Sequence, residues 1–231
     1  MKIAMWSGPR NLSSAMMYSF GNRADFAAWD EPFYAAYLKR TGMDHPMREE
    51  IIAVHDADAE SVAATFAGPV PDGKAHWYMK HMGIHMDQSP LDWAKDCVNV
   101  HLIRHPARVI ASYAVKRENP TLHDIGFAQQ VDIFDRFPGP VIDSADIRRN
   151  PESMLRKLCD AIGLDFDPAM LSWQAGKRPY DGVWAAHWYG AVHKSTGFAG
   201  AEGDLPALTG AAADLCQSAL PHYEKLAALK L

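Results

Sequence analysis

Two apolar runs, each turning through a proline into residues at helical spacing, limit what this chain can fold into more than any other feature. Ile3 to Trp6 is unbroken apolar sequence; Ser7, Gly8 and Pro9 then turn the chain, and from Leu12 the apolar positions fall on one helical face. The second run is VNVHLI, Val98 to Ile103, after which Pro106 opens a stretch with Val109, Ile110, Tyr113 and Ala114 at helical spacing. A strand that is apolar along its whole length is buried on both faces, which is the habit of parallel sheets covered by helices.

The rest of the chain continues the alternation. The pattern predicts a strand from Lys2 to Ser7, a helix from about Leu12 to Arg23 and a strand from Phe26 to Trp29. Glu31 to Gly68 reads as mostly helical, with Asp58 as a cap, and a turn at Pro69, Pro71, Asp72 and Gly73 separates it from a strand at His76 to Lys80. A helix at Phe127 to Phe137, a strand at Val141 to Ile142 and a helix to Ile162, capped by Asn150 with Pro151 at its first position, follow. Gly176 to Pro206 lacks periodicity but carries Trp184, Trp188, Tyr189 and Phe198, the composition of a functional loop whose rings could stack on a flat ligand. Leu208 to Leu231 reads as one or two helices broken at Pro221.

The fold class expected is α/β, one domain over residues 1–231. A net charge of -5 argues against a broad nucleic-acid or anionic-membrane surface and requires any basic site to be focused in a cleft. The N-terminal apolar run is too short for a signal or membrane segment, and Cys97, Cys159 and Cys216 are an odd number without C-x-x-C spacing, each in an apolar stretch, so a cytoplasmic protein with reduced cysteines is expected.

Chemistry concentrates at the ends of the strands. Helix N-termini present unpaired N–H groups and a positive dipole end, so the turn "SGPRNLSS" at 7–14 is a ready anion site, with Arg10 able to fork onto phosphate oxygens beside Asn11, Ser13 and Ser14. It lacks the G-x-x-x-x-G-K-[ST] pattern of a Walker A loop, and Asn11 or Ser13 could instead serve only as a helix cap. Arg104 follows the second apolar run, and Ser112 lies about two helical turns beyond it. Ligands of open α/β sheets sit at the carboxyl ends of strands, so Arg104 would share a crevice with Arg10, unless it serves only a surface ion pair. Two anion sites in one crevice suggest a ligand with two phosphates.

With S-G-P-R-N-L-S-S at 7–14 and R-H-P-A-R-V-I-A-S-Y at 104–113, the chain resembles the PAPS-dependent sulfotransferases, most closely a bacterial branch (PAPS is 3'-phosphoadenosine 5'-phosphosulfate). The resemblance implies a three-layer, P-loop-like fold with a central, mostly parallel β-sheet flanked by helices. It also implies sulfonate transfer from PAPS, with 3',5'-ADP as product and no metal, to a hydroxyl or amine of a small molecule. The first loop is similar to the 5'-phosphosulfate loop, with Arg10, Asn11, Leu12, Ser13 and Ser14 as its contacts; Arg104 and Ser112 match the 3'-phosphate motif; "VHKSTGF" at 192–198 is similar to the segment that closes over the nucleotide, with Lys194 its basic residue. The wording P-R-N-L-S departs from the usual P-[RK]-[ST]-G-[TS], and the R-K-G triplet of cytosolic animal members is absent.

Family members take the acceptor proton with a histidine after a lysine on a central strand or with a glutamate after the first helix, and both patterns occur here. Lys80 and His81 stand in "HWYMKHMGIHM" and Glu31 in "WDEPF", so Glu31 and His81 are level candidates for the base, with His85 third. His81 and His85 have the i, i+4 spacing of a metal pair but no third ligand at a matching position, and no metal is expected. His187 and His193 are either ligand contacts or exposed. Tyr34, Tyr37, Met43 and Trp188 would suit an apolar or aromatic acceptor. Two other functions compete: a nucleotide or small-molecule kinase, for which Asp143 is the one acid at the end of an apolar strand, and a nucleotide-binding protein without turnover.

Overall fold

Strand β1 (Lys2–Ser7) runs through the middle of the molecule, and Ile3, Ala4, Met5 and Trp6 are completely buried. The computed structural model describes residues 1–114 and 120–231. Beside β1 lie β2 (Phe26–Asp30), β3 (His76–Met82), β4 (Val98–Ile103) and β5 (Val141–Asp143), in one five-stranded sheet of order β2-β3-β1-β4-β5 with every pair parallel. The order places β1 between β3 and β4, which is why its residues from Ile3 to Trp6 are all apolar.

The pleat divides the core in two. Ile3, Met5, Tyr78, Val100 and Leu102 point to one side and pack against α1 (Ser13–Gly21), α2 (Tyr34–Thr41) and the helix that follows β5. Ala4, Trp6, Trp77 and Met79 point to the other and meet Phe66, Ile133 and Phe137. Helices α3 (Arg48–Val54) and α4 (Ala59–Thr65) fill the stretch before β3, and Asp58 caps α4 by accepting from the N–H groups of Glu60 and Ser61. After β4 come α5 (Pro106–Ala114), α6 (Leu122–Ile125) and α7 (Phe127–Arg136), and after β5 come α8 (Ser144–Arg149) and α9 (Pro151–Ile162). The Asn150 side chain accepts from Ser153 N–H at 3.1 Å, the capping its sequence calls for.

Three expectations need correcting. Strand β3 continues to Met82, two residues past Lys80, so His81 takes a full place in the pleat. The stretch from 176 to 206 contains two short helices, α10 (Ala185–Trp188) and α11 (Gly190–His193), anchored by Trp184 in the core. The terminal segment is one continuous helix, α12 (Ala211–Ala227), with Pro221 inside it. Pro221 is exposed, so water can satisfy the carbonyl its ring leaves unbonded, while Cys216, Ala219 and Leu226 keep the opposite face buried. Among the described residues, no helix is long and apolar enough to cross a membrane.

Candidate functional site

All five strands deliver residues to one cavity of about 350 Å³ at their carboxyl ends: Arg10 after β1, Glu31 after β2, Lys80 in β3, Arg104 after β4 and Ser144 after β5. This is where open α/β sheets bind ligands.

The β1–α1 turn makes the basic wall. Arg10 (φ 62°) and Leu12 (φ 72°) both occupy the left-handed region, on either side of Asn11. Backbone of alternating hand turns successive N–H groups to one side and forms an anion-binding concavity. Helix α1 begins at Ser13 without a side-chain cap, so its first N–H groups open toward the cavity that Ser13 and Ser14 line. Asn11 does not cap the helix: its amide donates to the Leu102 carbonyl of β4 at 3.2 Å and ties the turn to the sheet. Gly8 is needed for the close approach, since a Cβ there would lie 2.9 Å from the Ile125 carbonyl.

Arg10 and Arg104, far apart in sequence, come together here. Arg10 Nε donates to Ser112 Oγ at 3.0 Å, and Arg104 Nη1 donates to the Arg10 carbonyl at 2.7 Å. Burial, and then the neighbouring Arg104 charge, lower the Arg10 pKa from its ordinary value. Two guanidinium groups held near each other give this wall of the cavity a local positive potential that can take an anion.

The opposite wall is a buried network of charges. Lys80 Nζ bonds Asp30 at 3.0 Å, the Tyr189 hydroxyl at 2.6 Å and, most closely, Glu31 Oε1. Tyr189 in turn donates to Asp30 at 2.7 Å, and the Gly182 N–H donates to the same carboxylate at 3.2 Å. Burial works against the Lys80 ammonium, but Asp30 and Glu31 overcome it and hold Lys80 well above the ordinary lysine value. Burial raises the Glu31 carboxyl, with Lys80 pulling the other way and the Asp30 charge adding to the rise. Glu31 sits at φ 40°, a strained conformation of the kind found where a side chain must be aimed. Its other oxygen, Oε2, lies 3.9 Å from His85 Nδ1, and burial keeps that imidazole neutral, well below its ordinary pKa.

His81 is not part of this arrangement. Strand residues alternate between faces, so Lys80 turns to the cavity with Tyr78 and Met82 while His81 turns with Trp77 and Met79 to the opposite layer. There its ring stacks on Trp6 at 4.6 Å and meets Trp93 at 4.9 Å, and burial pushes its pKa down to about 3. His85 packs on Tyr34 at 4.5 Å and lines the cavity, so the two histidines have separate surroundings. Lys194 is exposed at the end of α11 and lies outside the cavity lining, although Val192 and Ser195 beside it contribute. His193 bonds Asp181 at 3.0 Å and His187 is exposed. Asp143 is committed to structure: it caps α8 through Ala145 N–H at 2.8 Å and accepts the Tyr223 hydroxyl at 2.7 Å. Tyr34, Tyr37, Met43 and Trp188 do line the cavity.

Sequence reasoning did not find Asp30, Ser144 or Arg148 as cavity or network residues, and it took Tyr189 only as a ring that could stack on a ligand, not as a partner of Lys80. The acidic pair Asp30-Glu31 at a strand end was the one local signal; the others depend on the tertiary arrangement.

Comparison with known proteins supports the same reading of the fold. The sulfotransferase domain from the curacin biosynthetic pathway superposes with a TM-score of 0.51 at 16% identity, covering 80% of this chain and 81% of that one. A sulfotransferase from Alicyclobacillus acidocaldarius gives 0.51 at 15% identity, covering 77% and 86%. At these identities the likeness is one of fold. Two Arabidopsis thaliana proteins, named branched-chain-amino-acid aminotransferase-like proteins 2 and 1, are each 35% identical over 230 residues, 97% of this chain. The chain spans 41% of the length of these curated relatives. A family model described as a sulfotransferase domain matches residues 1–230, and the chain belongs to that sulfotransferase domain family.

Proposed function

We propose that this protein transfers a sulfonate group from PAPS to a hydroxyl or amine of a small-molecule acceptor. The observation that carries the reading is the meeting of Arg10 and Arg104 from two strand ends beside an uncapped helix N-terminus, in the cavity that also holds a buried carboxylate–ammonium pair. The residues present suit a doubly phosphorylated nucleotide. Among the described residues, Arg104 Nε and Ser144 Oγ are buried with no hydrogen-bond partner, and both residues line the cavity.

When bound, PAPS supplies the sulfonate and leaves as 3',5'-ADP. Arg10 with the N–H groups and hydroxyls of Ser13 and Ser14 would hold the 5' end and neutralise negative charge gathering there, and Arg104 with Ser112 would hold the 3'-phosphate. Glu31 is the base: it lies in the cavity, and burial shifts its proton affinity toward the working range, so it can take the proton of an acceptor hydroxyl or ammonium-derived amine. Lys80 fixes its Oε1 and leaves Oε2 for that proton. The aromatic wall of Tyr34, Tyr37 and Trp188 favours an acceptor with an apolar or aromatic body. We take the chain as one domain acting in the cytosol, in keeping with its unpaired cysteines.

Thermal denaturation tests the reading. A rise in Tm with 3',5'-ADP and no metal supports it, and a rise with Mg-ATP alone overturns it in favour of a kinase.

A further inference from the structure

Glu202 sits in a segment with no regular secondary structure, and its neighbours Gly200, Ala201, Gly203, Asp204 and Leu205 are all exposed. Its own side chain is 3% exposed. Three guanidinium groups from three elements surround it: Arg104 after β4 contacts Oε1 most closely, Arg148 of α8 reaches the same oxygen at 2.7 Å, and Arg108 of α5 lies 3.0 Å from Oε2. The backbone on either side is held by the same residues, since Arg148 Nε donates to the Gly200 carbonyl at 2.9 Å and Arg108 Nη2 to that of Gly203.

Among the described residues, the ion pairs of these three arginines all run to this one carboxylate. A carboxylate offers one negative charge and two oxygens, whereas a phosphate monoester offers nearly two charges and three oxygens, a closer match to three forked donors. Arg104 and Arg148 also line the cavity, as does Ser144, and among the described residues Arg104 Nε and Ser144 Oγ are buried without a hydrogen-bond partner.

We propose that Glu202 is an internal anion: it pins residues 199–205 as a strap over an Arg104–Arg108–Arg148 phosphate site, and the second phosphate of the nucleotide displaces it. The inference rests on the nucleotide reading above for the identity of the ligand. It adds Arg108 and Arg148 to the phosphate site and makes strap opening a condition of tight binding.

The test is calorimetry with 3',5'-ADP, 5'-AMP and inorganic phosphate on the wild type and Glu202→Gln, with amide exchange of residues 199–205 as a second measurement on the wild type. If the strap leaves the site open about a tenth of the time, Glu202→Gln binds 3',5'-ADP about tenfold more tightly, because apparent affinity scales with the competent fraction. Affinity for 5'-AMP, which lacks the second phosphate, stays within about twofold in the same comparison. Exchange in 199–205 of the wild type speeds up when 3',5'-ADP or phosphate is added. Equal or weaker 3',5'-ADP binding by Glu202→Gln, or slower exchange in the strap on adding ligand, overturns the proposal and makes Glu202 a fixed wall of the site. Should neither protein bind 3',5'-ADP, the nucleotide reading fails on its own; the internal-anion proposal then stands if Glu202→Gln binds phosphate about tenfold more tightly than the wild type, and falls if it does not.

Discussion

Replacing Lys80 by methionine removes the ammonium and keeps most of the volume, and the structure says what should happen to the two carboxylates left behind. Lys80, Asp30 and Glu31 are 1%, 2% and 9% exposed. Breaking a buried ion pair by deleting one partner costs about 3–5 kcal/mol, because the remaining charge is uncompensated. The loss falls unevenly. Asp30 keeps the Tyr189 hydroxyl and the Gly182 N–H, whereas Glu31 loses its bond to Lys80, so the folded variant relieves itself by keeping a proton on Glu31. An acid whose folded pKa is raised contributes stability that is complete below its unfolded value, 4.5 for Glu, and is lost as pH rises through the folded value. If Glu31 stays protonated in folded Lys80→Met up to pH 8, the gap between variant and wild type widens by about 1.4 kcal/mol for each pH unit over which wild-type Glu31, itself raised by burial, has already lost its proton, at most about 4 kcal/mol between pH 5 and pH 8. The gap should therefore narrow as pH falls from 8 toward 5. Urea denaturation of both proteins across that range measures the gap, and adding Glu31→Gln to Lys80→Met should recover more than half of it at pH 8. A gap below about 1 kcal/mol at pH 8 would show that the network contributes no net stabilisation. A gap of constant size at all pH values would show that no proton is taken up.

Arg104→Ala should weaken 3',5'-ADP by at least about 30-fold in calorimetry, the loss of one buried charged hydrogen-bonding partner, with 5'-AMP little changed. His81→Leu should leave nucleotide binding within about twofold of wild type, because His81 lies in the aromatic layer away from the cavity. The same variant should flatten the acid limb of stability. With its pKa pushed from 6.5 to about 3 by burial, His81 contributes stability that is present above pH 6.5 and lost as pH falls toward 3, about 2 kcal/mol of it by pH 5 in urea titrations. Gly139→Ala should cost about 3 kcal/mol or more by urea denaturation, because the new Cβ would stand 1.8 Å from the Asn99 carbonyl and both sides of the clash are backbone.

What could be read before the structure was whatever one stretch of chain decides for itself. The apolar runs ending at Ser7 and Ile103 gave their strands without help, because burial on both faces leaves no alternation to misread. Asn150 and Pro151 named the start of α9 to the residue. The parity of β3 was also available: Trp77 and Met79 are apolar alternates of His81, and continuing the strand to Met82 would have turned His81 away from Lys80. Ending it at Lys80 hid that. The partners of Lys80 were out of reach, since Asp30 meets it only because β2 and β3 are neighbours and Tyr189 only because α10 and α11 fold back from 109 residues away. Pro221 misled for the opposite reason, as its local preference to end a helix is outweighed by a face that must stay buried.

The two walls of the cavity share one electrostatic solution, which explains how so much charge is kept beneath the surface. On the acidic side the carboxylates of Asp30 and Glu31 are balanced by Lys80; on the basic side Arg104, Arg108 and Arg148 are joined by Glu202. An unpaired ion in either place would carry a desolvation penalty of several kcal/mol. The two counter-ions differ in how they are held. Lys80 comes from a central strand, with sheet partners on both sides, so it can move little and serves to orient Glu31. Glu202 comes from an irregular segment whose neighbours are exposed, so its backbone can withdraw without disturbing the sheet. A phosphate entering the basic side would therefore exchange one anion for another, and most of the desolvation of those arginines would already have been met in folding.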